Sequence, residues 1–413
     1  MSLPWHASHR AGQVPRVLRT QCCRRNYADS RPFAVGDHVV LRPTKDRSAS
    51  PALRGPLKQG KRIETHKGVI QQDDIIGKRV RELVRTTPPK SGKDGYDFRI
   101  HEATMDEYVR FSRRLVTPIY PADANLIVSL LDLHPEIYDP ERAGEGKLEI
   151  LEAGTGHGGL TIHLSRAIHA GNPPTPKSTP EEDPETTEAK VAEYKERRQA
   201  ILHTIDVASQ YSAHARQTIA AFRHGQYLHN IDFHTGSVSD WVTSALSARN
   251  DEPFLSHAFL DLPSADTHID NVAKAVKVDG NLIMFNPSIT QINECALKIK
   301  QEGIPLELDR VIELGVNGGS GGREWDVRPV KPRVQKVQIE PEPVSPDGES
   351  AEISSDDASR DAEQEQAESA VAPDANSSQT PDEGKWAMVC RPKVGERVVG
   401  GGFLGIFKKK HQG

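Results

Sequence analysis

Residues 148–168 of the chain read LEILEAGTGHGGLTIHLSRAI, and this stretch decides the fold. The apolar run 148–151 predicts a short buried strand, and the spacing of Leu160, Leu164 and Ile168 predicts a helix after it. Glycines in between let the backbone come close to a ligand, and the first turn of a helix offers unpaired N–H groups. The stretch therefore predicts a strand-turn-helix unit that binds a nucleotide-like molecule.

The glycines of this turn also fit the dinucleotide pattern G-x-G-x-x-G through Gly154, Gly156 and Gly159. That pattern is weak evidence when it stands alone. It leaves open whether the ligand is a nicotinamide dinucleotide, S-adenosylmethionine or no ligand at all.

Further strands alternate with helical segments on both sides of this unit. Apolar runs predict strands at 200–205, 231–234, 258–260, 281–285 and 306–314. Strands that alternate with helices at this spacing form a mostly parallel sheet covered on both faces. Ligands collect at the carboxyl ends of such strands, where the glycine turn is joined by Asp206, Ser237 and Asp261.

The segments outside this pattern predict the domain organisation. Short alternating strands with glycine punctuation across residues 31–103 predict a small antiparallel barrel or sheet. Tyr108, Phe111, Leu115 and Ile119 follow at helical spacing, which predicts a helix that ends near Pro118. The large domain then covers 104–337 plus 384–413, with a surface insertion at 171–199 and a disordered acidic insertion at 338–383. Of the apolar segments 385–392 and 402–407, one is expected to return to the sheet as its last strand, and the other to supply the turn before it or its neighbour.

Composition limits the class of protein. The chain has 413 residues, 36% hydrophobic residues and a net charge of −5, with a mean hydropathy of −0.58. The charge indicates no global basic field, so any nucleic-acid surface is expected to be local. Four cysteines without metal spacing fit a reducing compartment, and 17 histidines without paired spacing make a metal site unexpected. No apolar run of 18 residues occurs, so no membrane helix is expected.

Residues 1–30 form a basic segment in which no acidic residue precedes Asp29. Arginines among small and apolar residues are typical of a mitochondrial presequence, and the plain alternative is a disordered basic tail. We therefore expect a mitochondrial protein, with nuclear or cytoplasmic location as the alternative.

Residues at the strand ends distinguish between the candidate ligands. Asp206 at the end of the second strand can accept hydrogen bonds from ribose hydroxyls, a device that nicotinamide and S-adenosylmethionine enzymes share. A nicotinamide enzyme also needs a proton donor beside a hydride acceptor, and no segment of the chain suggests one. Asp261-Leu262-Pro263 at the fourth strand end suits an N-methyltransferase, because a polar group there can hold the nucleophilic nitrogen beside the methyl donor.

The motifs, taken together, resemble a known family. The chain carries YPAD at 120–123, EAGTG at 152–156, FLDLP at 259–263 and FNP at 285–287, in that order. This order resembles the catalytic subunit of the tRNA (adenine-58-N1) methyltransferases. The resemblance implies an α/β fold with a Rossmann-like class I methyltransferase sheet and a small N-terminal β-barrel domain.

The resemblance also implies roles for individual residues. Asp261 is implied as the catalytic carboxylate and Asp206 as the ribose acceptor. Tyr120 becomes a candidate to pack against the flipped adenine or the cofactor, and Pro263 is expected at the substrate, where a proline after the strand would hold the backbone rigid around the acceptor. Ser237 stands where the family usually has an acidic residue for the cofactor adenine, and a histidine replaces the usual serine after the second glycine. The S-adenosylmethionine site is then implied to be lined by Glu152, Gly154, Thr155, Gly156, His157 and Gly158.

Partners follow from the same resemblance. It implies tRNA as substrate, and assembly as a homotetramer or as a heterotetramer with a non-catalytic paralogous subunit. Methyl transfer to another acceptor, a dehydrogenase, and an RNA-binding scaffold with a degraded cofactor site are the alternatives that the sequence leaves open.

Overall fold

The structure is a computed structural model, and it describes nine stretches of the chain. They are residues 31–45, 51–87, 94–116, 119–142, 146–176, 182–315, 323–330, 386–392 and 400–411. The basic segment 1–30 and the acidic insertion 338–383 lie outside the described residues, as do residues 177–181 of the insertion 171–199.

The N-terminal domain is a small antiparallel β structure. Its strands are β1 (Val39–Pro43), β2 (Ala52–Arg54), β3 (Arg62–Thr65), β4 (Gly68–Gln71), β5 (Leu83–Arg85) and β6 (Asp97–His101). Four of them form a sheet in the order β2-β1-β6-β5, and β3 and β4 form a hairpin. A bridge between Val69 and Thr87 joins the hairpin to the end of β5. Alternate residues such as Leu41 and Ile100 point into a separate apolar core.

Helix α1 (Met105–Phe111) connects this domain to the rest of the chain. Its first turn is closed by a capping box in which the Thr104 side chain accepts from the Glu107 amide and Glu107 reaches back to Thr104. The predicted continuation toward Pro118 is wrong, because Ser112 is already extended and the helix ends at Phe111. The apolar spacing of Leu115 and Ile119 thus belongs to a connector rather than to a helix.

The large domain is built on a nine-stranded sheet. Its strands are β7 (Leu148–Ala153), β8 (Ala200–Asp206), β9 (Ile231–Thr235), β10 (His257–Leu260), β11 (Asn281–Asn286), β12 (Leu306–Gly315), β13 (Arg323–Val330), β14 (Ala387–Pro392) and β15 (Gly400–Lys409). They lie in the order β14-β13-β12-β15-β11-β10-β7-β8-β9. The five strands from β11 to β9 pair in parallel, as the alternation with helices predicts.

Helices cover both faces of this sheet. They are α2 (Pro121–Leu131), α3 (Gly159–Ile168), α4 (Pro184–Arg197), α5 (Ser209–Ala221), α6 (Val238–Ser247), α7 (Ile269–Ala275) and α8 (Ile289–Glu302). Consecutive strand residues point to opposite faces, so Ile150 joins the core under α2, α3 and α5, whereas Leu151 joins the core under α6, α7 and α8. Both faces are therefore apolar, which explains the continuous apolar runs in the sequence.

The C-terminal segments both return to the sheet. One was expected as the last strand and the other as the turn before it or its neighbour, and the structure has two strands here. Strand β15 lies inside the sheet, antiparallel to both β11 and β12, whereas β14 pairs with β13 at the edge. The sequence holds two β-forming runs here, but only long-range pairing decides which one becomes internal.

Helix α4 belongs to the insertion 171–199 and is fastened to the large domain at its end. The Tyr194 side chain is buried, and its hydroxyl donates to Asn230 Oδ1 at 2.6 Å. The Arg198 guanidinium, after the helix, donates to Asp232 Oδ2 at 2.7 Å. These contacts fix the start of β8, the strand that carries Asp206.

Candidate functional site

The carboxyl ends of β7, β8 and β10 meet at one edge of the sheet and bring the predicted residues together. The Gly156 amide donates to Asp206 Oδ2 at 3.1 Å, and the Asp261 amide donates to the Ala153 carbonyl at 2.8 Å. A small cavity at this edge is lined by Glu152, Asp261 and residues of the glycine turn, with Val116 of the connector as one wall. Three segments that are far apart in sequence, the glycine turn, Asp206 and Asp261, thus form one site.

Gly154 lets two of these strand ends approach each other. A Cβ atom at this position would lie 2.3 Å from the Asp261 carbonyl oxygen, which no real contact allows. The residue also has φ +99°, a conformation that side chains disfavour. The glycine is therefore required both for the backbone shape of the turn and for the close approach of Asp261.

The other turn residues fasten the turn to its surroundings. Gly158 precedes α3 in a left-handed conformation, and a Cβ there would lie 3.2 Å from the Ala215 side chain of α5. The Thr155 and Thr204 hydroxyl oxygens are 2.7 Å apart, and Thr204 donates to Glu152 Oε2 at 2.7 Å. Since Thr204 has one hydroxyl proton, Thr155 is the donor to Thr204. A chain of hydrogen bonds runs from the turn to Glu152.

Thr204 was not predicted as a site residue. It lies directly opposite Glu152 in the parallel pairing of β7 with β8, and it is fully buried. The available signal was a hydroxyl residue inside the apolar run 200–205, which must find a partner when buried. Its partner could not be identified from the sequence, because the register of the two strands is set by the fold.

Glu152 is buried, and one of its carboxylate oxygens, Oε1, has no hydrogen-bond partner among the described residues. Burial raises the pKa of Glu152 to about 8; the hydroxyls of Thr204 and Thr161 oppose the rise, and the charges of Asp261 and Asp206 add to it. Burial likewise raises the pKa of Asp261 to about 7, with Asp206 contributing repulsion. Three carboxyl groups held this close together stabilise a positively charged ligand and disfavour their own ionisation without one.

Asp206 is held by backbone amides. Besides Gly156, the Ala208 amide donates to Asp206 Oδ1 at 3.1 Å. The carboxylate therefore fixes the glycine turn, and each oxygen keeps a further lone pair for a ligand hydroxyl.

His157 turns its ring away from solvent. The ring is buried, its Nε2 has no hydrogen-bond partner in the described part of the chain, and burial lowers its pKa to about 4, with Arg114 as the next contribution. A Cβ atom on Gly159 would lie 2.6 Å from His157 Cε1. Gly159 therefore makes room for the imidazole, which gives a structural reason for the third glycine of the pattern.

The remaining predicted residues lie around the cavity without lining it. Ser237 is half-buried at the start of α6, and its side chain does not cap that helix. Tyr120 precedes α2, with the Arg114 guanidinium carbon 5.4 Å from its ring centre. Pro263 is exposed after β10.

Asp123 was not predicted as a site residue. It lies in the first turn of α2 and is buried, and burial raises its pKa to about 6. Nothing in the sequence indicated this shift.

Two absences among the described residues bear on other classes of protein. No group of three or more His, Cys, Asp or Glu side chains is arranged to hold a metal ion there. Within the same residues, every helix is too short or too polar to cross a membrane.

Comparison with known proteins supports the resemblance found in the motifs. A family model described as TrmI-like N-terminal matches residues 32–79. The chain is 29% identical over 295 residues to the tRNA (adenine(58)-N(1))-methyltransferase TrmI of Thermus thermophilus, which covers 71% of this chain and 91% of that protein. It is 23% identical over 261 residues to the tRNA (adenine(57)-N(1)/adenine(58)-N(1))-methyltransferase TrmI of Methanocaldococcus jannaschii, covering 59% and 78%.

A solved structure supports the fold. The SAM-dependent O-methyltransferase of Thermotoga maritima superposes with a TM-score of 0.52 at 15% identity, covering 92% of this chain and 95% of that one. The predicted class I methyltransferase sheet and the predicted resemblance are both confirmed. The small domain that the family model matches is the antiparallel β structure that contains β1 to β4.

Proposed function

We propose that this chain, a relative of the tRNA (adenine-58-N1) methyltransferases, transfers a methyl group from S-adenosylmethionine to N1 of an adenine, position 58, in tRNA. The observation that carries the proposal is the position of Asp261. It ends the strand next to the glycine turn, its amide is bound to Ala153, and its side chain lines the same cavity as Glu152.

The residues fit S-adenosylmethionine as cofactor. Glu152 offers a buried carboxylate oxygen without a partner, and Gly154 keeps the edge of the site free of side-chain atoms. S-adenosylmethionine supplies a methyl group on a positively charged sulfur, a cation that suits the raised pKa values of Glu152 and Asp261. Glu152 and the glycine turn would hold it, and Asp206 would accept from its ribose.

Asp261 acts on the adenine. The target N1 lies on the pairing edge of the base, so the nucleotide must leave its stack to reach the cavity. The Asp261 carboxylate would accept a hydrogen bond from the exocyclic amine, which orients the ring and directs the N1 lone pair at the methyl carbon. Methyl transfer would form a bond from N1 to that carbon as the bond from the carbon to sulfur breaks, so that the positive charge would pass from the sulfur to the base. The carboxylate stabilises that charge where it develops.

The test is Asp261→Asn, which keeps the shape of the side chain and removes its charge. With labelled cofactor and unmodified tRNA we expect kcat to fall by about 100-fold to 1,000-fold. Binding of S-adenosylhomocysteine should change by less than about tenfold, because the turn is intact. Asp279→Asn is the control, because the Asp279 side chain is 84% exposed and precedes the amino end of β11, at the opposite end of the strands from the site. Equal methyl transfer by Asp261→Asn, or a product methylated at another atom, would contradict the proposal.

The pH profile provides a second readout of the same residue. Asp261 must be ionised to act, and its pKa is raised to about 7 by burial and by Asp206. We therefore expect kcat/KM to rise as the pH increases through about 7. The Asp261→Asn variant should lack this rise.

Assembly and location are proposals that rest on the resemblance and on the basic N-terminus. We propose a homotetramer in mitochondria, because mitochondrial and bacterial members of the family tend to self-assemble. A heterotetramer with a non-catalytic paralogue, with nuclear or cytoplasmic location, is the alternative. The mass of the chain in solution, when it is expressed alone, tests the assembly.

A further inference from the structure

The two domains differ strongly in charge. Residues 31–103 contain 16 Lys and Arg against nine Asp and Glu, although the whole chain carries a net charge of −5. The positive charge is therefore concentrated in the small domain, where it can create a local field.

Two exposed arginines of the small domain, Arg81 and Arg99, are in contact with each other. Arg99 of β6 pairs with Arg42 of β1 and with Leu83 of β5, so these three side chains share a face. The Arg99 guanidinium donates to the Arg81 carbonyl at 2.9 Å, which brings the two residues together. Arg81 and Arg99 are both exposed.

The same face leads onto α1. Arg42 forms an ion pair with Glu107, which fixes the first turn of α1 against the edge of this face. Arg110, Arg113 and Arg114 follow at the end of the helix and in the connector, and all three are exposed. We call Arg81, Arg99, Arg110, Arg113 and Arg114 the basic track.

The connector carries the track to the mouth of the cavity. The Arg114 guanidinium donates to the Arg110 carbonyl at 3.0 Å and lies over the Tyr120 ring. The His214 Nε2 lies 2.8 Å from the Arg113 carbonyl, which fixes the connector on α5. Val116, two residues after Arg114, lines the cavity.

The charges of the track are not neutralised by the protein. Within the described ranges, Arg81, Arg99, Arg113 and Arg114 have no carboxylate within 4 Å, and Arg110 has one only at 3.9 Å, on Asp106. By contrast, Arg85 on β5 binds both oxygens of Asp97 at 2.7 and 2.8 Å. The pKa of His101, next to the track, is lowered first by burial and then by the positive charges of Arg42 and Arg81.

We propose that the basic track binds phosphates of the tRNA on one side of the target adenine, so that the small domain holds the RNA backbone outside the cavity. This inference rests on the proposed function. Unpaired, exposed arginines in a row fit a polyanion, because each phosphate contact releases a counterion. A guanidinium group can bind phosphate with two parallel N–H donors. Arg99 and Arg114 each use one guanidinium nitrogen on a backbone carbonyl, and no carboxylate of the described residues comes closer to the track than 3.9 Å, so its positive charge remains available to phosphate.

The test is the double variant Arg81→Gln/Arg99→Gln in the full chain, with binding of unmodified tRNA measured across a series of salt concentrations. We expect the affinity at about 0.15 M salt to fall by about tenfold. We expect the slope of log K against log salt to become shallower by about one unit for each arginine. Binding of S-adenosylhomocysteine should be unchanged, which shows that the large domain is intact.

The matched control is Arg85→Gln, on the same sheet and also exposed but paired with Asp97. It should change the salt slope by much less than half of the change in the double variant. An unchanged slope in the double variant would overturn the proposal, and so would an equal loss in Arg85→Gln, which would indicate a general charge effect. Since binding is read without methyl transfer, a wild type that binds tRNA in this way but transfers no methyl group would contradict the proposed function alone.

Discussion

The acidic site, which consists of Glu152, Asp206 and Asp261, and the basic track are opposite in charge and in construction. Glu152 is 1% exposed and Asp206 8% exposed, and backbone or hydroxyl donors hold both. The arginines of the track are exposed and have few partners. In the acidic site, burial makes each charge costly and each contact specific. On the track, the charges are exposed to water, where the dielectric constant is high, and their contributions to phosphate binding add together.

This difference determines what a substitution should do in each region. In the acidic site, a substitution that adds or removes a single atom changes the backbone or the protonation of neighbouring residues. The effects of such substitutions on activity and stability are therefore large and depend on one another. On the track, each arginine should contribute a similar, salt-dependent share.

The largest effect is expected for Gly154→Ala. The added Cβ would lie 2.3 Å from the Asp261 carbonyl oxygen, so the ends of β7 and β10 must separate. Since Asp261 is attached to that backbone, we expect methyl transfer to fall by more than about 100-fold, an effect as large as that of losing a transition-state contact. Cofactor binding and thermal stability should fall as well, which calorimetry and thermal unfolding would measure.

Gly303→Ala is the control for backbone strain alone. Gly303 follows α8 with φ +65°, and nothing lies within 4 Å of its Cβ position. It should cost about 1 kcal/mol of stability without loss of activity. If the two variants were equally active, the close approach at Gly154 would not matter for function.

A smaller effect is expected for Glu152→Gln. Loss of a charged contact to a cationic ligand costs about 1.5–3 kcal/mol, so S-adenosylmethionine should bind about 10-fold to 150-fold more weakly.

Without ligand, the Glu152→Gln variant should be more stable than the unsubstituted protein. The folded-state pKa of Glu152 is about 8 against an ordinary value of 4.5, so the folded protein keeps a proton that the unfolded chain has lost between those values. Stability therefore falls as the pH rises from about 4.5 to 8, and glutamine removes that fall.

Glu149→Gln, three residues earlier on β7, should have the opposite sign. Burial opposes ionisation of Glu149, but His203 Nε2 at 2.8 Å and Arg249 outweigh it and hold its pKa below the usual range. Its contribution to stability is present above the unfolded pKa and is lost as the pH falls, so the variant should be less stable at pH 8. Thermal unfolding at pH 5 and pH 8 measures both variants. The same sign at pH 8 would contradict the assignment.

The sequence predicted those parts of the molecule that depend on local pattern. The five parallel strands were predicted because each is an apolar run bounded by turn residues, and three of the site's carboxylates because they end or follow such runs. The pairing of distant segments could not be predicted. Thr204 contacts Glu152 through strand register, and β14 became a strand through its pairing with β13. Likewise, Arg85 and Arg99 look alike in the sequence, and only the structure reveals that Asp97 neutralises the first.

The smallest effect is expected for Gly159→Ala, because the His157 ring occupies the space that the added methyl group would need. A Cβ on Gly159 would lie 2.6 Å from His157 Cε1 and 3.3 Å from Val109 Cγ1, so Gly159→Ala alone should destabilise the protein by about 1–3 kcal/mol through overpacking. The change His157→Ser removes the ring. In that background, alanine should be neutral or slightly stabilising, because it is the better helix former at the start of α3.

Denaturant unfolding of the two single variants and the double variant gives the coupling free energy between them. We expect about 0.5–3 kcal/mol, with the double variant more stable than the sum of the single effects predicts. A coupling near zero would mean that the ring moves aside at no cost and that Gly159 is not required by His157. A clear coupling would mean that a histidine at this position requires a glycine two residues later, so that Gly159 can be replaced without loss of stability only when His157 is replaced as well.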